Sequence, residues 1–571
     1  MKKEKDFKNL RNIKLTSCLT LILNTFCIIF GLLYILKPSS SVFWDFIGVI
    51  ITITLFENLL FVYFNLHKSN KLSPKVTIVS YIYLIFIIIA ILFIILGNLL
   101  LSSVYSNIFI ENFGSYCIIY FSYFGILLYG IFFAVFNLKQ LLKNDLEFIK
   151  KSYNKKIGIL KVKMILHKIL VILSKITFCI GIVFAIVNIF GSFGVITVFI
   201  AIISSQFGLF FSIIFLANTI LLLKLKKHKR TTKKFYRTAI IGIFVSVWLS
   251  MPLFLSNSSI YNDDKVFADA FGSNWQTRIP SEANRFFLKT PFTLTGYYLG
   301  TEPNNCKITK NILFYDDEGI SLYFDAYMPL NKWKHLPGEN STIIRIHGGS
   351  WVSGDKGMMN MMQMNKYFAS QGYVVFDIQY GLDRNPLFEL DPLTPDYSKG
   401  NFNIDDMMRH IGIFTNYIFN HTNDYNANLN SVFISGGSAG GHLACAVALA
   451  ISSGNYTHIF NEHLKVKGLI PFYPANGQMV FFGINGCDEF KNPEKLIAKS
   501  SPPCLIFQGT HDILNYFSIS ENIQNTYLAK GNNKCAILWM PLAGHAADVY
   551  FTGYYNQIFL YYMERFMFLY H

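Results

Sequence analysis

Three polar residues far apart in the chain carry the first chemistry this sequence suggests. Ser438 stands in Gly436-Gly437-Ser438-Ala439-Gly440, after the apolar run Ser431-Val432-Phe433-Ile434-Ser435 and before Leu443-Ala444-Cys445-Ala446-Val447-Ala448. The pattern reads strand, sharp turn, helix, the setting in which Gly-x-Ser-x-Gly lifts a serine hydroxyl clear of a sheet. Glycines suit that turn because side chains on either flank would collide. Asp512 follows the strand-like Cys504-Leu505-Ile506-Phe507-Gln508-Gly509, and His545 follows Ala536-Ile537-Leu538-Trp539-Met540 in a loop before the last helix. A serine that attacks a carbonyl needs an imidazole to take its proton and a carboxylate to orient that imidazole. His442 and His511 compete as the base, and Asp488 and Asp548 as the acid. His442 falls one turn into the helix behind Ser438, facing away from its oxygen, and reads as packing. His511 reads as a turn residue and Asp548 as a cap or a solvated side chain.

A second motif supplies what the serine lacks. The strand Ile343-Ile344-Arg345-Ile346 runs into His347-Gly348-Gly349-Ser350-Trp351. Consecutive glycines let backbone N–H groups converge on one point without a Cβ in the way. The expected oxyanion donors are the amides of Gly348, Gly349 and Ala439, each worth roughly 3 kcal/mol in the transition state. Gly436, Gly440, His347 and Trp351 support the two turns.

The elements that position these residues follow from hydrophobic period. Short apolar runs at 308–315, 320–328, 341–347, 373–380, 431–436, 466–472, 503–509 and 535–541 read as strands. Helical patterns at 358–371, 403–420, 438–452, 515–530 and 551–569 lie between or after them. Two hairpin-like strands followed by alternating strand and helix predict an α/β domain over 307–571, a mostly parallel sheet of about eight strands covered on both faces. Ligands of such sheets bind beyond the carboxyl ends of the strands, where the candidate residues fall.

His347-Gly348-Gly349-Ser350-Trp351 with Gly354-Asp355-Lys356, then Gly437-Ser438-Ala439-Gly440-Gly441-His442, then Gln508-Gly509-Thr510-His511-Asp512, and finally Gly544-His545 together resemble the α/β-hydrolase superfamily. The likeness is greatest to carboxylesterases and lipases of the hormone-sensitive-lipase type and to the feruloyl- and acetyl-xylan-esterase-like group. It covers about 307–571 and implies a serine esterase working through a covalent acyl-enzyme. The segment 380–402 departs from the family pattern, where a shorter run is usual. Residues 1–306 carry no such likeness.

The first half is of another kind. The chain is 52% hydrophobic and only 15% charged. Residues 1–257 hold 28 Lys and Arg against 7 Asp and Glu, whereas 258–571 hold 22 against 27. The net charge of +16 therefore belongs to the first half. Its basic residues sit between apolar runs, so they set membrane orientation, and nucleic acid is not an expected partner. Apolar stretches at 15–36, 43–65, 76–101, 115–138, 168–190, 195–223 and 239–256 are each long enough to span a bilayer, and seven exclude a signal peptide. They predict an all-α transmembrane bundle over 1–257. Lys and Arg crowd the leader and the loops at 66–75, 139–167 and 224–238, and they are scarce in the intervening loops. With seven crossings, that alternation places the N-terminus in the cytoplasm and the second half on the outer face, with the plasma membrane as the expected location. Glu57, Lys175 and His167 are candidate intramembrane ionisable residues, and Glu57, mid-span, could pair with a polar partner in the bundle. The aromatic-rich 258–306 joins the halves as a juxtamembrane linker or cap. Nine cysteines show no metal spacing, and a Cys306–Cys487 disulfide is an option outside the cell.

The expected function is membrane-anchored hydrolysis of a carboxylic ester on a small-molecule, lipid or glycan substrate, in contact with membrane lipids and with no cofactor or metal. Two alternatives stand beside it. One is an acyltransferase using the same acyl-serine. The other is a seven-helix scaffold or receptor carrying an idle hydrolase domain.

Overall fold

The computed structural model describes residues 2–68, 74–102, 113–147, 160–226, 232–300, 305–330, 336–358, 361–385 and 394–571. Parts of the Lys-rich loops at 66–75, 139–167 and 224–238, most of the loop at 102–114, and residues 386–393 of the 380–402 segment lie outside the described residues.

The first half forms α1 (Lys2–Leu36), α2 (Val42–Lys68), α3 (Pro74–Leu101), α4 (Phe113–Glu147), α5 (Leu160–Phe190), α6 (Val195–Gln206), α7 (Gly208–Leu225) and α8 (Lys233–Phe271). Among the described residues, 7 helices are long and apolar enough to cross a membrane. Large apolar side chains such as Ile22, Phe46, Phe121 and Ile172 point outward and stay exposed. Polar groups pair inside: Thr20 Oγ1 donates to Glu57 Oε1 at 2.8 Å, and the Asn24 and Asn58 amides exchange bonds of 2.8 and 2.9 Å. An apolar exterior around paired polar groups is the arrangement of helices packed in lipid.

Two helices differ from the sequence expectation. The stretch at 195–223, read as one span, is broken at Phe207 into the 12-residue α6 and the 18-residue α7. The break places Ser205 and Gln206 against the second half of the chain, where Tyr554 Oη donates to the Ser205 carbonyl. Gly208, just past the break, lies so close to α8 that a Cβ would stand 2.1 Å from the Leu249 carbonyl oxygen. α8, in turn, does not stop at residue 257 but continues to Phe271. Its last turns pack Phe267 on Tyr562 and Phe271 on Phe566, at ring separations of 5.3 and 5.0 Å.

The aromatic connector after α8 is buried between the halves. Trp275, Phe287, Phe292, Tyr297 and Tyr298 are all enclosed. Its short helix α9 (Leu294–Leu299) enters one end of the bundle, where Leu294 N donates to Asp45 Oδ1 at 3.0 Å and Tyr34 Oη donates to the Gly300 carbonyl at 2.9 Å. On its other side, Thr293 N donates to Gln557 Oε1 at 2.9 Å.

The second half is built on one sheet: β1 (Cys306–Asp317), β2 (Ile320–Pro329), β3 (Ser341–Ile346), β4 (Val374–Ile378), β5 (Asn428–Gly437), β6 (Val466–Phe472), β7 (Cys504–Gly509) and β8 (Cys535–Met540). The spatial order is β1-β2-β4-β3-β5-β6-β7-β8. β2 pairs antiparallel with β1 and β4, and the remaining pairs are parallel. β3, β4 and β7 are buried along their whole length, as strands covered on both faces must be. The helices α10 (Met361–Ser370), α11 (Ile404–Asn420), α12 (Ala439–Ser453), α13 (Phe517–Ala529) and α14 (Tyr554–Tyr570) cover the sheet. α11 starts on a capping box, with the Asn403 side chain bonded to the Asp405 and Asp406 amides. All nine cysteines are unpaired, so the optional Cys306–Cys487 link is not formed.

Candidate active site

The carboxyl ends of β3, β5, β7 and β8 bring the separated motifs to one place. Ser438 follows β5 with φ 59° and ψ −124°, a conformation costly for a residue with a Cβ. The surrounding glycines make that turn sterically feasible. A Cβ on Gly436 would stand 2.4 Å from the Gly440 carbonyl oxygen, and one on Gly440 would stand 2.1 Å from that of Ile346. Ser438 also begins α12, its carbonyl accepting from His442 N at 3.0 Å, so the positive end of that helix lies beside the hydroxyl.

His545 Nε2 lies 3.1 Å from Ser438 Oγ, and its Nδ1 lies 2.9 Å from Asp512 Oδ2. A carboxylate only accepts, so Nδ1 carries the proton and Nε2 is left to accept from the serine. Asp512 is held by its other oxygen, which accepts from Leu514 N and Asn515 N at 2.9 and 3.0 Å. Its side chain is fully buried, whereas that of His545 keeps 11% exposure.

The Gly-Gly turn comes up against the same serine. A Cβ on Gly348 would lie 3.3 Å from Ser438 Cβ. Gly349 has φ +120°, and a Cβ there would stand 1.9 Å from the Ser353 carbonyl oxygen. Ser350 and Trp351 follow with φ 56° and 63°. The turn is pinned by Ser353 N and Oγ, both donating to the Gly349 carbonyl. Gly348 thus lies against Ser438, and Ala439 follows the serine directly in the chain. His347 is buried with its ring stacked on Tyr380, and burial lowers its pKa to about 4, so it is neutral. Trp351 Nε1 donates to His442 Nδ1 at 3.2 Å, and His442 Nε2 donates to the Phe490 carbonyl at 2.7 Å. His442 thus braces the elbow helix, and burial likewise lowers its pKa to about 4.

The other competing groups are occupied elsewhere. His511 Nε2 faces the Ile189 carbonyl at 3.3 Å. Asp488 pairs with Lys495 on the surface. Asp548 is buried and accepts from Tyr473 Oη at 2.6 Å. Among the described residues no cluster of His, Cys, Asp and Glu has the form of a metal site.

Three further residues at the site belong to none of these motifs. Tyr473, with φ +36° at the end of β6, sets its ring 4.8 Å from that of His545. Asn515 Nδ2 stands 3.5 Å from Ser438 Oγ while donating to the Tyr473 carbonyl. Gln206, at the end of α6, donates to the Ala546 carbonyl at 3.0 Å and accepts from Tyr550 N at 2.9 Å. A residue of the helical first half therefore braces the loop that bears His545. The one available signal is the Asp-x-x-Asn spacing at 512–515, which bears on Asn515 alone.

The strand order, the elbow after β5 and the glycine turn after β3 define the second half as an α/β-hydrolase domain. Residues 324–480 match the family model described as BD-FAE. The chain is 23% identical over 297 residues to the probable isoprenylcysteine α-carbonyl methylesterase ICMEL1 of Arabidopsis thaliana, covering 47% of this chain and 57% of that one. It thus spans little more than half the length of that relative. Similar solved structures include esterase B of Lactobacillus rhamnosis, with 22% identity, a TM-score of 0.34, and coverage of 43% of this chain and 80% of that one. Esterase 2 of Thermogutta terrifontis is another, with 21% identity, a TM-score of 0.35, and coverage of 46% and 92%.

Proposed function

We propose that the chain is a membrane-anchored serine hydrolase of carboxylic esters. The observation that carries this reading is the unbroken relay from Ser438 Oγ to His545 Nε2 at 3.1 Å and from His545 Nδ1 to Asp512 Oδ2 at 2.9 Å. His545 takes the Ser438 proton as Oγ attacks the ester carbonyl, and Asp512 keeps the ring in the required tautomer. The Gly348, Gly349 and Ala439 amides bind the tetrahedral oxyanion. His545 then protonates the leaving alkoxide, and water releases the acid by the same steps in reverse. The long apolar helices, with their exposed apolar faces, support anchoring in a bilayer. The basic loops on alternate sides support a cytoplasmic N-terminus and an outward-facing hydrolase.

The test is a panel of p-nitrophenyl esters of rising chain length, assayed on the full chain in nanodiscs. Wild type is expected to hydrolyse them, and Ser438→Ala is expected to be inactive on every member. Equal rates for both proteins would end the proposal. Transfer of the acyl group to an added alcohol in preference to water would instead favour the acyltransferase reading.

A further inference from the structure

The approach to Ser438 shares a border with the membrane-crossing helices. The candidate span in α5 ends at Phe190, and its Ile172, Ile176 and Ile180 side chains are exposed. Where α5 stops, it meets the hydrolase: the Ile189 carbonyl faces His511 Nε2 at 3.3 Å. A Cβ on Gly191 would lie 3.8 Å from both His511 Cδ2 and Ile513 Cγ2. His511 and Ile513 are the two chain neighbours of Asp512. α6 then runs along the loop that bears His545, with a Cβ on Gly544 lying only 3.1 Å from Ala201 Cβ. The end of a candidate span is thus one residue away from the carboxylate of the relay.

The three segments that meet at this junction carry exposed apolar side chains. On the membrane side, Phe190, Phe193 and Ile196 are 77%, 70% and 77% exposed. On the hydrolase side, Phe481, Leu514 and Phe517 are exposed as well. Gln478 Nε2 donates to the Leu514 carbonyl at 2.9 Å and so ties the turn bearing Phe481 to the turn beside Asp512. Residues 187–206, 478–487 and 513–520 contain no Lys, Arg, Asp or Glu. Scattered apolar residues are normal on a protein surface, but a joined, charge-free rim beside a reactive group marks a place where lipid or ligand covers it. Here the rim is continuous with the exposed face of α5, so what covers α5 also covers the rim.

Resting on the serine-esterase reading above, we propose that the entrance to Ser438 opens sideways onto the bilayer and that the substrate is an amphiphilic ester. Its long apolar chain stays in the lipid. Its ester group reaches Ser438 at the level of the membrane surface, between the α5–α6 turn and the loops at 478–487 and 513–517. The uncharged rim lets such a chain leave the lipid without crossing water or passing a fixed charge.

The test uses the full chain in nanodiscs with p-nitrophenyl palmitate dissolved in the lipid and p-nitrophenyl butyrate in the water. The readout is the palmitate-to-butyrate ratio of kcat/KM. The triple variant Phe190→Ser/Phe193→Ser/Ile196→Ser is expected to lower that ratio by about tenfold or more. A second measurement does not depend on activity: Phe193→Trp is expected to add fluorescence that brominated lipids quench beyond the wild-type signal. An unchanged ratio, together with no quenching of the fluorescence that Phe193→Trp adds, overturns the proposal. If Ser438→Ala abolishes both hydrolyses in that same experiment, only the lateral entrance has failed. If Ser438→Ala retains them, the esterase reading itself has failed.

Discussion

The bond between α6 and the histidine loop makes a prediction that joins the two halves of the chain. Gln206 is 1% exposed and bonds two backbone groups of that loop, the Ala546 carbonyl at 3.0 Å and the Tyr550 amide at 2.9 Å, besides the Ile202 carbonyl of its own helix at 2.9 Å. Ala546 follows His545 directly and holds φ 52°, so its peptide needs an external brace. Gln206→Leu keeps the bulk and removes both bonds to the loop. A buried backbone group left without a partner costs roughly 1–3 kcal/mol. The low end applies here, because Tyr554 Oη still reaches the Ser205 carbonyl and the Phe207 ring still stacks on Tyr550 at 4.4 Å. Two groups then give about 2 kcal/mol. If that energy serves to keep His545 in register, kcat/KM falls roughly 30-fold. The assay is initial-rate hydrolysis of p-nitrophenyl butyrate by the full chain in nanodiscs, with thermal unfolding followed in parallel. A Gln206→Leu protein that keeps both the wild-type rate and the wild-type melting temperature would refute the idea that the helical first half positions His545.

Other predictions follow from single contacts. Asp512→Asn leaves the packing intact but permits the wrong His545 tautomer, and the hydrolysis rate is expected to fall roughly 10³- to 10⁴-fold at unchanged thermal stability. Gly349→Ala must move the Ser353 carbonyl, which a Cβ would meet at 1.9 Å, and so displaces the turn whose amides are proposed to hold the oxyanion. Its kcat is expected to drop by about a hundredfold or more, read in the same ester assay. Asp377, in β4, has its pKa raised from 3.8 to about 7 by burial and then by the neighbouring Asp325 charge. The folded protein holds this proton more tightly than the unfolded chain does. Its contribution to stability is therefore full below 3.8 and is lost as pH rises through about 7. Asp377→Asn keeps an acceptor for the Gly357 and Asn365 donors, and its melting temperature relative to wild type is expected to be higher at pH 8 than at pH 5.

The parts of this protein that are legible in its sequence are those where local pattern and tertiary role coincide. β3, β4 and β7 are runs of β-branched and apolar residues buried on both faces, so composition alone locates them. Gly436, Gly440 and Gly349 are needed for reasons that a turn motif states outright, and Ser438, Asp512 and His545 each follow a recognisable strand. What the sequence conceals depends on contacts between distant segments. The break at Phe207 lies inside a stretch long enough to read as one span, where Ser204-Ser205-Gln206 and Gly208 interrupt the apolar run, and Ser205 and Gln206 bond to the second half of the chain. α8 extends past residue 257 because Phe267 and Phe271 have α14 to pack against. Tyr473 and Asn515 carry no motif, and their place beside His545 and Ser438 follows from the ends of β6 and β7 lying together. The aromatic residues of 258–306 announce burial but not which surface receives them.

The most direct measurement is reaction of the full chain with a fluorophosphonate probe, followed by mass spectrometry of the labelled peptide. The expected result is a single adduct on Ser438, absent in Ser438→Ala and formed at least about a thousandfold more slowly in His545→Ala. An adduct on another residue, or labelling of Ser438 at an unchanged rate without His545, would contradict the assignment of nucleophile and base.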